Sequence, residues 1–130
     1  MNIILHRVYH HDSIEPGSVR ILVDRIWPRG IAKAAASWDV WIKEVAPSND
    51  LRKWFAHDRE KWDEFKQRYF AELDVAGPAS ASVGELKKLL AGTNTAVFLY
   101  AAKDELCNHA VALKAYLEAL PGKDRATAKG

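Results

Sequence analysis

The sequence predicts a small α/β domain, and two observations carry that class. Three short runs rich in branched and aromatic residues, at 3–9, 19–26 and 95–100, have strand character. Between and after them lie segments whose apolar residues recur at helical spacing. The chain has 130 residues, 48% hydrophobic and 28% charged, which is enough for one core of ordinary globular composition. The expected organisation is a single domain over 1–122 and a flexible tail over 123–130.

Taken in order, the first strand is Ile3 to Tyr9, followed by a loop with Pro16-Gly17 as its turn. The second strand is Val19 to Ile26. The loop joining the two is short for a parallel crossover, so spacing alone favours antiparallel pairing. After Gly30, Trp38, Trp41, Ile42 and Val45 fall at helical spacing, with Ser37 as N-cap and Pro47 as terminator. Ser48 caps a short helix carrying Leu51, Trp54 and Phe55. Asp58 caps the next, whose stripe is Trp62, Phe65, Tyr69 and Leu73 against a charged opposite face. Gly77-Pro78 breaks that pattern. Ser82-Val83-Gly84-Glu85 reads as a capping box opening a helix through Leu86, Leu89 and Leu90, stopped by Gly92. The third strand is Thr95 to Tyr100. Asp104 caps a final helix with Leu106, Ala110, Leu113 and Leu117 on one face, ended by Pro121-Gly122.

Several function classes lose support at this stage. The net charge of +2 gives no excess for phosphate neutralisation. The cations of 52–68 alternate with acids, as on a solvated face with i,i+4 pairs, so a nucleic-acid or regulatory module is the second reading. One cysteine, Cys107, excludes an internal disulfide and fits a reducing compartment. No cationic leader with a long apolar stretch opens the sequence, and no apolar run reaches membrane-span length. A cytoplasmic protein is expected. No glycine loop for phosphates and no dinucleotide fingerprint imply a cofactor. His10-His11-Asp12 matches no zinc spacing. Oligomeric state is not written in the pattern.

The densest chemistry is the octapeptide Val23-Asp24-Arg25-Ile26-Trp27-Pro28-Arg29-Gly30 at a strand exit. Charges there are costly unless paired or used, and open α/β sheets bind ligands at the carboxyl ends of their strands. Pro28 fixes its own φ and extends Trp27, and Gly30 permits a turn that a side chain resists. A second strand exit, Tyr100 to His109, has the same layout. If the two exits converge, Asp24, Arg25, Trp27, Arg29, Lys103 and Asp104 surround the start of the last helix, with Asn108 and His109 in its first turns. The cations and a helix N-terminus would suit a small phosphate- or carboxylate-bearing molecule. His109, and His57 in the turn Trp54-Phe55-Ala56-His57-Asp58, are the acid–base candidates. Each has a structural reading beside it: Asp24 in an ion pair, Asp104 as a cap, the histidines as satisfied side chains, the tryptophans as core. Cys107 matches no nucleophile motif.

Four segments carry a resemblance: the octapeptide, Trp41 to Ser48, Leu51 to Asp58, and Tyr100 to Asp104. Together they resemble the YeaO-like branch of the bacterial family catalogued as domain of unknown function 488, over about Ile4 to Leu117. The resemblance implies a compact α/β domain with a small, mostly parallel sheet covered by helices, against the lean from loop length. It supplies no activity. Another branch has cysteine where Tyr100 stands and Cys-His-Arg where Asn108-His109-Ala110 stands. Only His109 matches that branch, so its thiol chemistry does not carry over. The winged-helix label of some members finds no basic recognition helix here.

Overall fold

In the computed structural model, which describes residues 2–9 and 17–119, four strands form one fully parallel sheet. They are β1 (Asn2–Arg7), β2 (Val19–Leu22), β3 (Val40–Trp41) and β4 (Thr95–Tyr100), in spatial order β1-β4-β2-β3. The helices are α1 (Asn49–Phe55), α2 (Trp62–Asp74), α3 (Pro78–Ala91) and α4 (His109–Ala119), with single 3₁₀ turns at Lys33–Ala35, Lys43–Val45 and Arg59–Lys61. This is the small parallel α/β domain the resemblance implies. The antiparallel expectation fails because β1 and β2 are not neighbours: both pair with β4, Asn2 opposite Thr95 and Val19 opposite Ala96.

The sheet has two unlike faces. Ile3, Ile21, Val23, Phe98 and Tyr100 join Phe65, Tyr69, Leu73, Leu86 and Leu113 of the helices in the main core. Val8, Leu22, Val97 and Leu99 form a second cluster, covered by Tyr9, Ile31 and Trp38. The central strand β4 is accordingly buried on both faces, five of its six residues fully, which is why it reads as a continuous apolar run.

The first two strands end earlier than the sequence reading has them, at Arg7 and Leu22 in place of Tyr9 and Ile26, and three further elements differ. The segment around Trp38 and Trp41 is not helical. Val40 and Trp41 pair with Ile21 and Leu22, and Asp39 N–H donates to the Arg20 carbonyl. Trp38 and Trp41 instead pack edge-on against Trp27, at 4.8 and 5.6 Å between ring centroids. Ser82 opens no helix: α3 starts a turn earlier with Pro78 at its first position, where a missing N–H costs nothing. The Ser82 hydroxyl donates back to the Ala79 carbonyl. The last helix begins at His109, with Asn108 as its cap in place of Asp104, since Asn108 Oδ1 accepts from Val111 N–H. Ser48 caps α1 and Asp58 caps the turn leading into α2, as expected. The histidine pair 10–11, Asp12, Pro16, Pro121-Gly122 and the tail 123–130 lie outside the described residues.

Candidate functional site

Because every strand runs the same way, every exit lies along one edge of the sheet. Val8 N–H still donates to Tyr100 O, Val23 N–H to Leu99 O and Ile42 N–H to Leu22 O. One residue further the β2–β4 ladder parts. An evenly spaced parallel ladder would send the Ala101 N–H to the Val23 carbonyl. Here Ala101 N–H donates 2.9 Å to Asp24 Oδ2, and the Val23 carbonyl faces His109 Nε2 at 3.1 Å. His109 Nε2 is also 2.9 Å from Asp24 Oδ1. His109 Nε2 therefore stands between the Val23 carbonyl and Asp24 Oδ1, a buried carboxylate oxygen without a hydrogen-bond partner of its own among the described residues. Two side chains replace one backbone rung where the strands separate, and they tie the start of α4 to the end of β2.

The other expected residues separate into two groups. Arg25 turns away towards the segment before α1: Nε donates to Pro47 O (3.1 Å), Nη2 to Ala46 O (3.0 Å), and Nη1 stands 3.6 Å from Glu44. Tyr69 holds the neighbouring Val45 carbonyl, and Glu72 takes the Ser48 N–H. Burial raises the Tyr69 phenol far above its ordinary value, so it stays a donor. Trp27 gives its indole N–H to Ile31 O and packs among the tryptophans. Asn108 is buried, with Nδ2 on the Asp104 carbonyl. Arg29 and Lys103, by contrast, are exposed, and their side chains meet no acid or carbonyl among the described residues. His57 is exposed and sits with Ala56 in the left-handed region (φ 60° and 47°), without a hydrogen-bond partner among the described residues.

Three contributors were missed in the sequence. Arg7 ends β1 beside β4 and clamps the exit loop, with Nε on Ala102 O (2.9 Å) and Nη2 on Ala101 O (3.2 Å). Its guanidinium lies over the Tyr9 ring, and Tyr9 OH donates to the Arg29 carbonyl. The pair thus bridges the Arg29 turn to the Lys103 loop. Arg59 makes a two-point ion pair with Asp104 at 2.8 and 2.9 Å, bringing the His57 turn alongside. That pair, together with the Leu106 and Cys107 N–H groups, holds the Asp104 carboxyl well below the usual carboxylate range. No spacing signal marks Arg7 or Arg59, since their partners lie 45 residues or more away.

Among the described residues no group of three His, Cys, Asp or Glu side chains could hold a metal ion, and no helix is long and apolar enough to cross a membrane. A hollow of about 270 Å³ lies on the outer side of β3 against α3, on the opposite flank from Arg7.

Fold and site together define a small open-sheet α/β domain with its charged groups gathered at the carboxyl edge. The chain belongs to the family described as the inactive DUF488-N3 subclade, whose profile matches residues 2–129. It is 38% identical to the uncharacterized protein YeaO of Escherichia coli (strain K12) over 123 residues, covering 92% of this chain and all of that one. It is also 47% identical over 83 residues to an uncharacterized protein of Mycobacterium tuberculosis (strain ATCC 25618 / H37Rv), covering 64% of this chain and 66% of that protein's length. A Mycobacterium bovis protein matches with the same figures. No solved structure matches.

Proposed function

We propose that the protein binds a small anionic molecule at the carboxyl edge of the sheet, without turning it over. One observation carries this reading: Arg29 and Lys103 emerge from adjacent exit loops with side chains free among the described residues, whereas of the acids in those loops Asp24 and Asp104 are answered and Glu105 alone stays exposed without a partner among the described residues. Asp24 is committed to Ala101 and His109, and Asp104 to Arg59. Among the described residues the edge therefore offers two unpaired cations against one unpaired acid. Absence of turnover is supported by the word "inactive" in the family's description and by His109, whose Nε2 is engaged between Val23 O and Asp24.

The nucleic-acid reading stands lower because the cations of 59–68 are already partnered, Arg59 by Asp104. Arg68 pairs with Glu64, Lys66 with Asp63, and Lys61 bonds the Trp54 carbonyl. The test is a thermal-shift titration with inorganic phosphate, nucleoside monophosphates, sugar phosphates and dicarboxylates. A ligand at about 100 times its Kd adds roughly 2.7 kcal/mol. The shift should vanish in an Arg29→Ala, Lys103→Ala double variant. A wild-type protein indifferent to the whole panel, or a shift that survives in the double variant, removes this site.

A further inference from the structure

The hollow beside β3 contains neither Arg29 nor Lys103, although its Glu44 also faces Arg25 and its Trp41 packs on Trp27. Its walls are Trp41 and Lys43 on one side and Pro78, Ala81 and Glu85 of α3 on the other, with Glu44 at the rim. At about 270 Å³ it falls just under the roughly 300–1,000 Å³ of ordinary ligand pockets, so its occupant is small. Trp41 is 36% exposed, unusual for so large an apolar ring. It is held rigidly, its indole N–H donating 2.7 Å to the Asp24 carbonyl.

From this hollow we infer that the protein has a second site, which binds a short alkylammonium group between the Trp41 ring and the Glu85 carboxylate. The ring is already in use as a cation receptor: Lys43 Nζ lies 5.8 Å from its centroid, within the reach of a cation–π contact. Lys43 is exposed, and its ammonium occupies the place over the ring that the ligand's would take. Glu85 is exposed with no partner among the described residues. Glu44 is held only loosely, 3.6 Å from Arg25 and beyond hydrogen-bond distance. The Pro78 ring methylenes and the Ala81 methyl supply the surface for an alkyl stem. Lys61 and Lys66 stand over Trp54 and Trp62 in a similar way, but neither of those rings lines this hollow, so they serve as internal controls.

The experiment follows the indole N–H resonances of the full-length ¹⁵N-labelled protein during titration with n-butylammonium chloride, against sodium chloride at matched ionic strength and against n-butanol. The Trp41 resonance should move with the amine and not with the alcohol, while those of Trp54 and Trp62 stay in place. Lys43→Ala removes the internal competitor and should tighten binding about two- to fivefold, the worth of an exposed cation–π contact. Glu85→Gln should weaken it by a similar factor. A Trp41 resonance that is still in both wild type and Lys43→Ala overturns the site. Equal movement with n-butanol, equal movement of all three indoles, or weaker binding in Lys43→Ala overturns it as well. Because neither Arg29 nor Lys103 lines this hollow and the two tests use different probes and variants, the failure of one site is distinguishable from the failure of the other.

Discussion

Arg25 and Arg29 stand four residues apart in one motif, and their replacement by alanine should have opposite consequences. Arg25 holds two consecutive carbonyls, those of Ala46 and Pro47, at 3.0 and 3.1 Å. Both residues are buried, so water reaches the vacated carbonyls poorly. A hydrogen bond from a charged donor is worth about 1.5–3 kcal/mol. The Arg25 side chain retains 24% exposure, and the loose Glu44 contact adds little, so the net loss for Arg25→Ala is about 2–3 kcal/mol. For 130 residues, an unfolding entropy of about 2.1 cal/mol/K per residue gives about 4 °C per kcal/mol, hence a Tm lowered by about 8–12 °C. Arg29→Ala removes an exposed side chain with no partner among the described residues, and should change stability by less than about 0.5 kcal/mol. Arg25→Lys should recover under half of the loss, because an ammonium does not span two carbonyls as a planar fork does. Urea denaturation with calorimetry reads all three. Equal losses in the two alanine variants, or a loss below about 1 kcal/mol for Arg25→Ala, would refute the division of labour.

Asp24→Ala orphans the Ala101 N–H and should cost about 1–3 kcal/mol; amide exchange at Ala101 must speed up, and unchanged protection there would show that the carboxylate is not the missing rung. Gly30 has φ +84° and open space around a would-be Cβ, so Gly30→Ala should lose about 1 kcal/mol from backbone strain alone; a neutral result in calorimetry argues against the turn as drawn. Burial, then the hydrogen bond to Asp74, pushes the Tyr116 phenol up to about 12. The unfolded phenol titrates near 10, so this contribution is complete below about 10 and is lost as pH rises through about 12. Tyr116→Phe should flatten that part of the alkaline stability curve, and an unaltered curve contradicts the assignment.

What was legible in the sequence is what depends on neighbours along the chain. The α2 stripe, the Ser48 and Asp58 caps and the buried run of β4 are set by spacing and local hydrogen bonding. The parallel pairing came only through the resemblance, since the loop-length argument assumed that the first two strands pair with each other. The Trp38–Val45 segment misled because tryptophans at helical spacing met a different demand, packing on Trp27 and closing the sheet edge. Asp104 looked like a helix cap because the turn it stabilises precedes α4. Within the candidate site, the contacts of Asp24 with His109 and of Arg59 with Asp104 join residues 85 and 45 positions apart. No periodicity records such pairs; only the strand order does.

That strand order has a consequence for how the chain acquires its structure. The strand at the centre of the sheet is the last to be made. Until Thr95–Tyr100 leave the ribosome, β1 has nothing to pair with, and β2 has only the two residues of β3. Until then the apolar faces of β1 and β2 that meet β4, Ile3 and Ile21 among them, lack their central partner, although the aromatic residues of 27–70 can already pack on one another. Sheets closed by contacts so distant in sequence form slowly and expose such surfaces meanwhile. The same arrangement gives one six-residue strand an outsized part: its insertion completes the β1–β4 and β2–β4 ladders together, and α4, which follows it, then closes the main core.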